Sequence, residues 1–248
     1  MYHFFTDKSN INDKFVRIEG KDVNHIKNVL RMRIGEEISV GNGEDDDEYR
    51  CEITEITDEY VTAGILFVKE ANVELPVKVT LFQGLPKSDK METIIQKCVE
   101  LGITEIVPVE TKRCVVKIED KKKESRVARW QAIAEAAGKQ SQRSIIPKIG
   151  DIMSFREACK KAEESDVRLI PYELSEGTEK TKEIFKSLKP GRSIAVFIGP
   201  EGGFEEKEIA FATECGIEPV SLGKRILRTE TAGMTVLAWI GYELEIGR

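Results

Sequence analysis

The chain has 248 residues, of which 40% are hydrophobic and 33% are charged, and its net charge is −6. This apolar content is sufficient for a folded core and excludes a disordered or fibrous chain. The acidic total argues against a nucleic-acid-binding protein, because domains of that class usually carry a basic surface. A total does not say where the charges lie, so this argument depends on their distribution along the sequence.

The five cysteines are widely spaced and include no C-x-x-C pair. This pattern predicts reduced thiols, and neither a disulfide scaffold nor a metal site. The first residues have no basic start followed by an apolar run, so no signal peptide is expected. Apolar stretches such as residues 194–198 are too short to cross a bilayer, and we therefore predict a cytoplasmic protein with no membrane contact.

The first seventy residues predict a small β-barrel. Its strands are separated by turns rich in Gly and Asp. They are expected at residues 14–18, 37–40, 49–56 and 60–68. A short helix interrupts them, because His25, Val29 and Leu30 share a helical face and Asp22 precedes them as a candidate N-cap.

After Pro76 the pattern changes to strands that alternate with helices. The strands are expected at residues 77–81, 103–107, 167–171, 193–198 and 219–222. The helices are expected at residues 89–101, 121–137, 154–164, 179–188, 205–215 and 231–244. Such alternation implies a mostly parallel sheet covered on both faces. The change of pattern near residues 71–75 predicts one domain over residues 1–72 and another over residues 73–248.

Positive charge is concentrated in one part of the second domain. Residues 1–72 carry a net charge of −7, most of it in the acidic run 44–48, whereas residues 112–148 carry +7. Salt screens exposed charges beyond about 10 Å, so phosphate binding needs a local basic surface and not a basic total. A basic helix is nevertheless more often simply solvated, and an adjacent active site would be needed to favour RNA binding.

The most distinctive local motif is Phe-Ile-Gly-Pro-Glu-Gly-Gly-Phe at residues 197–204. It follows an apolar strand and precedes a helix, a position at which parallel sheets bind ligands. It is neither a dinucleotide-binding fingerprint nor a P-loop. Its glutamates would oppose a phosphate and suit a ligand with a positive centre or hydroxyl groups. A tight structural turn explains the motif equally well.

A second motif, Ser-Leu-Gly-Lys-Arg-Ile-Leu-Arg-Thr-Glu-Thr-Ala-Gly at residues 221–233, also follows a strand and opens the last helix. Thr229 or Glu230 is expected to cap that helix. A basic loop before a capped helix accounts for the Thr and Gly residues. It does not explain why Lys224, Arg225 and Arg228 lie within five residues of one another.

These two motifs resemble those of the RsmE family, SPOUT-class methyltransferases that act on N3 of a uridine in small-subunit (16S) ribosomal RNA. The resemblance rests on Gly-Pro-Glu-Gly-Gly at 199–203 and Leu-Gly-x-Arg-Ile-Leu-Arg-Thr-Glu-Thr-Ala at 222–232. Residues 25–31, 84–102 and 135–143 are also similar to family motifs, although Lys139 and Gln142 depart from the commoner residues.

The resemblance implies an N-terminal PUA-like β-barrel, followed by a SPOUT α/β domain whose C-terminal part forms a trefoil knot. Nothing in the periodicity of the sequence predicts that knot, and knots are rare. Family members bind S-adenosylmethionine in the knot loops and form homodimers through the knot region. The implied partner is small-subunit ribosomal RNA or the 30S particle, which the barrel would bind with one face while the acidic run points away.

Site residues follow from the same motifs. Arg228 is expected to stabilise negative charge on the uracil or to fix its orientation. Glu201 and Glu230 are the candidates to accept the N3 proton, with binding of the cofactor or capping of the helix as their other roles. The structural role is favoured for Glu230, and the role of Glu201 stays open. The residues expected to bind S-adenosylmethionine are Tyr172, Glu173, Phe197, Ile198, Gly199, Pro200, Glu201, Gly202, Gly203, Leu222, Gly223, Ile226, Leu227, Thr231 and Ala232. Those expected to bind RNA are His25, Arg31, Lys87, Arg113, Arg129, Arg143 and Arg225.

Two other functions remain open at this point. A related SPOUT enzyme could methylate another ribosomal or transfer RNA site, although the barrel and the 222–232 motif favour the uridine enzyme. A non-enzymatic RNA-binding or assembly factor would keep the basic residues and would need no cofactor loops.

Overall fold

The computed structural model describes residues 1–173 and 177–247. The chain divides into two compact units. The first consists of Met1–Glu74 and Gly138–Ile146, and the second of Leu75–Ala137 and Pro147–Arg248. The chain therefore leaves the first unit, enters the second, and returns to the first for nine residues.

The first unit is built on one curled sheet. Its strands are β1 (His3–Phe5), β2 (Phe15–Glu19), β3 (Glu37–Gly41), β4 (Asp47–Ile56) and β5 (Tyr60–Glu70). Among the described residues they pair in the order β1-β3-β4-β5-β2, with β1 parallel to β3 and the other pairs antiparallel. Helix α1 (Lys21–Asn24) continues into a π-helical turn (His25–Val29). Alternate residues of the strands point inward, which gives this unit its own apolar core.

The structure confirms the predicted small β-structure and adds β1, which is too short to produce a recognisable pattern. Asp22 is not the N-cap of the first helix, because Gly20 holds that position with a φ of 70°. The Asp22 carboxylate instead accepts a hydrogen bond from Lys139 at 2.7 Å. The acidic run 44–48 is largely half-buried, and two of its carboxylates form ion pairs, Asp45 with Lys8 and Glu48 with Lys69.

The returning segment Gly138–Ile146 differs from the predicted domain ranges, which assign it to residues 73–248. It packs on the first unit through several independent contacts. The Arg143 guanidinium binds the Glu74 carboxylate, and the backbone N–H of Ile146 donates to the carbonyl of Gly43. Ion pairs and backbone bonds between distant parts of the sequence leave no periodic pattern, so the sequence alone groups this segment with its neighbours along the chain.

The second unit is a parallel sheet with helices on both faces. Its strands are β6 (Lys78–Gly84), β7 (Glu105–Glu110), β8 (Lys148–Ile149), β9 (Met153–Ser154), β10 (Val167–Pro171), β11 (Ser193–Ile198) and β12 (Glu218–Val220). Its helices are α2 (Lys90–Glu100), α3 (Asp120–Gln140, ending in the first unit), α4 (Phe155–Ala162), α5 (Glu179–Ser187), α6 (Glu206–Glu214) and α7 (Thr229–Gly241), the last followed by a π-helical turn (Tyr242–Ile246). In the described part of the chain the strand order is β12-β10-β11-β6-β7-β8, with β9 beside β7.

Two apolar clusters cover the two faces of this sheet, as the alternation of strands and helices predicts. Helix α2 buries Met91, Ile94, Ile95, Cys98 and Val99 on one side, the face given by their spacing. Strands β12 and β6 are separated by β10 and β11, so the chain after β12 must pass those two strands for Thr229, the first residue of α7, to bond Gln83 of β6. The helix itself packs on α2 and β11. That return path positions the candidate site.

Candidate active site

Three loops meet at the carboxyl ends of β10, β11 and β12 and enclose a cavity of about 260 Å³. Ligands of parallel sheets bind at this edge, because the loops that follow adjacent strands converge there. The loops contribute residues 171–173, 199–204 and 221–229, and the lining residues are Pro171, Tyr172, Glu173, Gly199, Pro200, Glu201, Gly202, Gly203, Phe204, Ser221, Leu222, Gly223, Lys224, Arg225, Ile226, Leu227 and Thr229.

The glycine loop, residues 199–203, requires glycine at two positions, one on the neighbouring strand β6 and one in the loop itself. A Cβ atom on Gly84, at the end of β6, would lie 2.6 Å from Cδ and 2.8 Å from the backbone N of Pro200, so the two backbones touch there. Gly203 has a φ of 66°, and its missing Cβ would meet no atom within 4 Å. Gly84 allows the two backbones to pack closely, and Gly203 allows a left-handed turn beside open space.

Neighbouring segments hold the glycine loop in place through polar contacts. The Arg113 Nη1 donates to the carbonyl of Gly202 at 2.9 Å, and the backbone N–H of Lys87 donates to the Glu201 carboxylate at 3.1 Å. Lys90, at the start of α2, places its Nζ 2.8 Å from Glu201 Oε1 and 3.5 Å from Glu230 Oε2. The loop is therefore fixed from two sides before any ligand binds.

These contacts decide the protonation of Glu201. Partial burial acts to raise its pKa, but the hydrogen bonds from Lys90 and from backbone N–H groups outweigh burial and hold the pKa of Glu201 below its ordinary value of 4.5. The donation to Glu201 raises the pKa of Lys90. At neutral pH the pair is fully charged, so the Glu201 carboxylate is a weak base that is already occupied by donors.

Thr229 links the two long loops of the site. Its hydroxyl donates to the carbonyl of Gly199 at 2.6 Å and accepts a hydrogen bond from the amide of Gln83 at 2.9 Å. The sequence predicts Thr229 or Glu230 as the N-cap of α7, but Arg228 holds that position and Thr229 is the first helical residue. The hydroxyl is thus used to tie the 221–229 loop to β6 and to the glycine loop.

Arg228 does not itself line the cavity but lies between the lining residues Leu227 and Thr229, and 82% of its side chain is accessible. Its Nη1 lies 3.8 Å from Glu230 Oε1, which is a weak, solvent-exposed contact. The guanidinium is therefore free to turn toward a ligand. Glu230 Oε2 is buried and accepts no hydrogen bond among the described residues, although Lys90 lies nearby.

The structure gathers most of the predicted cofactor residues in this one cavity. Four do not line it: Phe197 and Ile198 are buried in β11, where Phe197 stacks on Phe82, and Thr231 and Ala232 lie on α7. Sequence reasoning missed five lining residues, which are Pro171, Phe204, Ser221, Lys224 and Thr229. Lys224 stands out only as one of three clustered cations, and Phe204 ends the first motif without any signal of a role in binding.

The predicted RNA-binding residues fall into different environments. Arg225 lines the cavity, whereas Arg113 holds the glycine loop and Arg129 forms an exposed ion pair with Glu92. Lys87 is exposed in the second unit, and His25 and Arg31 are exposed in the first unit.

Arg143 requires a correction, because it is only 3% exposed. Its Nε donates to Glu74 at 2.9 Å, so it is a buried structural ion pair and not part of an RNA-binding surface.

Two other kinds of site are absent from residues 1–173 and 177–247. Within these ranges no helix combines the length and apolar character needed to cross a membrane. Nor do these residues contain a group of three or more His, Cys, Asp or Glu side chains arranged to hold a metal ion.

Comparison with known proteins identifies the family. The profile of an RNA methyltransferase domain matches residues 73–241, and that of an RNA methyltransferase PUA domain matches residues 18–66. Ribosomal RNA small subunit methyltransferase E of Bacillus subtilis (strain 168) is 38% identical over 234 residues, which cover 93% of this chain and 91% of that protein. The chain belongs to the RsmE family of RNA methyltransferases.

Other RsmE proteins agree over the whole length. The enzyme of Mesomycoplasma hyopneumoniae (strain 232) is 32% identical, with 96% of this chain and 97% of that protein covered. A crystal structure of the Neisseria gonorrhoeae enzyme bound to S-adenosylmethionine has a TM-score of 0.86 and 33% identity, and 97% of each chain is covered. The RsmE assignment confirms the resemblance found in the sequence, the PUA-like first domain and the SPOUT-type α/β fold.

Proposed function

We propose that this protein transfers the methyl group of S-adenosylmethionine to N3 of a uridine in small-subunit ribosomal RNA. The observation that carries the proposal is the cavity formed by the glycine loop and the 221–229 loop, with the exposed Arg228 guanidinium beside it. RsmE relatives named for small-subunit ribosomal RNA, one of them bound to S-adenosylmethionine, support the substrate and the cofactor.

The cavity suits S-adenosylmethionine by its chemistry. Leu222, Ile226 and Leu227 offer apolar surface for a heterocycle, while the open space beside Gly203 and Gly223 lets a ligand approach backbone closely. The backbone N–H groups of Ile226 and Leu227 make no hydrogen bond within the described residues and can donate to the ligand. When bound, S-adenosylmethionine supplies an activated methyl group, which leaves the protein to position the base and to tune charge.

Uracil N3 carries a proton at neutral pH, and this proton must pass to solvent water when the methyl group takes its place. Methylation therefore needs a group that stabilises the negative charge left on the uracil. Arg228 is suited to this role, because its guanidinium stays charged and offers a fork of donors at the rim of the cavity. We assign Glu201 to holding the glycine loop and not to accepting the proton, since its carboxylate is occupied by Lys90 and Lys87.

We further propose that residues 1–72 bind RNA and that residues 73–248 carry out methyl transfer, with the returning segment as a structural part of the first unit.

The return of the chain from β12 to α7 past two strands supports a trefoil knot. Exposed Trp239, Tyr242 and Ile246 at the C-terminal end support a homodimer through this region. Ribosomal RNA as substrate supports a cytoplasmic location.

A methyl-transfer assay tests the proposal directly. Purified protein, labelled S-adenosylmethionine and small subunits from a strain lacking the modification should yield a single labelled nucleoside, which mapping should identify as N3-methyluridine. The Arg228→Ala protein is the matched negative control, since it should keep the fold and lose transfer. Labelling of another RNA position or of transfer RNA would replace the proposed substrate, and failure of S-adenosylmethionine to bind in calorimetry would overturn the methyltransferase assignment in favour of an RNA-binding factor.

A further inference from the structure

A second cavity, of about 330 Å³, lies elsewhere in the second unit. It shares no lining residue with the candidate active site. Its walls are the loop from Leu85 to Asp89 with the start of α2, the segment Val116 to Glu119, and one face of α3. Nothing in the proposed chemistry uses these residues.

The walls of this second cavity are connected to the glycine loop of the first. The wall loop contributes Lys87, whose backbone N–H donates to Glu201. The segment that leads into the other wall contributes Arg113, which donates to the carbonyl of Gly202, and Lys112, whose backbone N–H donates to Glu208 at 2.9 Å. Hydrogen bonds therefore join the segments that lead into the second cavity to the glycine loop that lines the first.

The second cavity is apolar at its floor, and its rim carries both cations and carboxylates. The carboxylates of Glu92 and Glu119 are already paired, the first with Arg129 and the second with Lys121 and Lys122. Leu85, Met91 and Trp130 form the apolar part and are each at most 5% exposed. Lys117 and Arg126 are exposed at the rim, and neither forms an ion pair within the described part of the chain. Arg126 and Trp130 are four residues apart on α3, so the cation and the aromatic ring lie on the same face of the helix.

This combination matches the chemistry of a nucleotide. An apolar cavity floor alone would accept any hydrophobic ligand, and two cations alone would accept any anion. A flat heterocycle attached to a phosphate satisfies both, and Ser88 and Asp89 at the start of α2 add polar atoms that can bind the edge of a base. Proteins that read single-stranded RNA use such sites for bases displaced from the stack.

We propose that the second cavity binds one nucleotide of the RNA substrate near the target uridine, with the base against Leu85, Met91 and Trp130 and the phosphate on Lys117 and Arg126. The proposal rests on the proposed function, because it assumes an RNA substrate. It adds an RNA-recognition site that is separate from the cofactor cavity. This site selects which RNA strand is presented to the cofactor.

Steady-state kinetics on small subunits provide the first test. The Lys117→Ala/Arg126→Ala protein should show a KM for the subunit raised by about tenfold or more, with a weaker salt dependence, because two phosphate contacts are lost. Its kcat and its Kd for S-adenosylmethionine should be unchanged, which also shows that the variant is folded. The control is Lys121→Ala/Lys160→Ala, which removes two exposed cations that do not line the cavity.

An equal KM in the double variant and the wild type, with the wild type active, would overturn the nucleotide site and leave the proposed function intact. An inactive wild type would instead overturn the proposed function. The two failures are thus distinguishable in one experiment.

Fluorescence provides a second, binding-only test. The chain contains two tryptophans, so a Trp239→Phe protein reports on Trp130 alone. With S-adenosylmethionine at saturation, single-stranded RNA pentanucleotides should quench this fluorescence, and the added Lys117→Ala/Arg126→Ala changes should abolish the quenching. Equal quenching by inorganic phosphate would reduce the cavity to an anion site, and absence of quenching by any pentanucleotide would refute base binding; either result contradicts the proposal.

Discussion

Arg143 and Arg228 both belong to segments that resemble motifs of the same family, yet the two arginines occupy opposite environments. Arg143 is 3% exposed and binds Glu74 in the first unit. Arg228 is 82% exposed and has only a weak contact with Glu230. One guanidinium is fully committed to the fold, and the other is available to a ligand.

This difference shows that a charged residue in a family motif can serve either the stability of the fold or the binding of a ligand. A buried arginine must be paired, because an unpaired buried charge costs several kcal/mol. An exposed arginine that has no strong partner adds little to stability, so stability alone gives no reason for its place beside a cavity. Burial and partners, which the sequence does not contain, decide between the two roles.

The largest expected effect is on stability, from Arg143→Met. Breaking the pair leaves the Glu74 carboxylate without its main partner and should lower the free energy of unfolding by about 3–5 kcal/mol, measured by urea denaturation. Arg129→Ala, which removes an exposed partner of Glu92, is the control and should cost no more than about 1 kcal/mol. A fully stable Arg143→Met protein with a raised KM for RNA would show instead that Arg143 binds RNA and is not needed for stability.

The Arg228→Ala substitution should have the opposite effect, a large loss of activity with little change in stability. Loss of a donor that stabilises developing charge should slow methyl transfer by about 10²–10³-fold in single-turnover assays, while the free energy of unfolding changes by less than about 0.5 kcal/mol. Arg228→Lys should recover only part of the rate, because an ammonium lacks the planar fork of donors. Normal turnover by the Ala protein would remove Arg228 from the mechanism.

Lys90→Met sharpens the comparison with an intermediate case, a half-exposed lysine between Glu201 and Glu230. The glycine loop keeps its contacts with Arg113 and Lys87, so the Kd for S-adenosylmethionine in calorimetry should rise by no more than about fivefold. Lys90→Arg, which keeps the charge, should bind like the wild type. Complete loss of binding in the Met protein would mean that Lys90 contacts the cofactor itself.

The smallest effect concerns the pH dependence of Glu201. Its pKa is lower in the folded protein than the ordinary value of 4.5, so its contribution to stability is present above about pH 4.5 and is lost as the pH falls through the lowered value. The difference in unfolding free energy between wild type and Glu201→Gln should therefore shrink in acid. If the Glu201→Gln protein instead transferred methyl groups at least about a hundredfold more slowly at neutral pH, Glu201 would be restored as the general base.

Much of the second unit can be predicted from sequence because its signals are local. The strands Val167–Pro171 and Ser193–Ile198 have the predicted bounds, and α2 buries the predicted face. The two motifs that follow strands form one cavity, as expected for the carboxyl edge of a parallel sheet.

What the sequence does not reveal depends on contacts between distant residues. The role of Thr229 is set by Gly199 and Gln83, and that of Asp22 by Lys139. Residue types and spacing allow each of these side chains to cap a helix. Only the fold brings the competing partner within hydrogen-bonding distance.

The return of Gly138–Ile146 to the first unit has a consequence for synthesis of the protein. Domains generally fold as units during translation, beginning from the N-terminus. Here Glu74 leaves the ribosome about seventy residues before its partner Arg143, so the N-terminal unit cannot be completed when its last strand emerges. Its completion must wait until β6, β7 and α3 have been made, which couples the final assembly of the first unit to the early growth of the second.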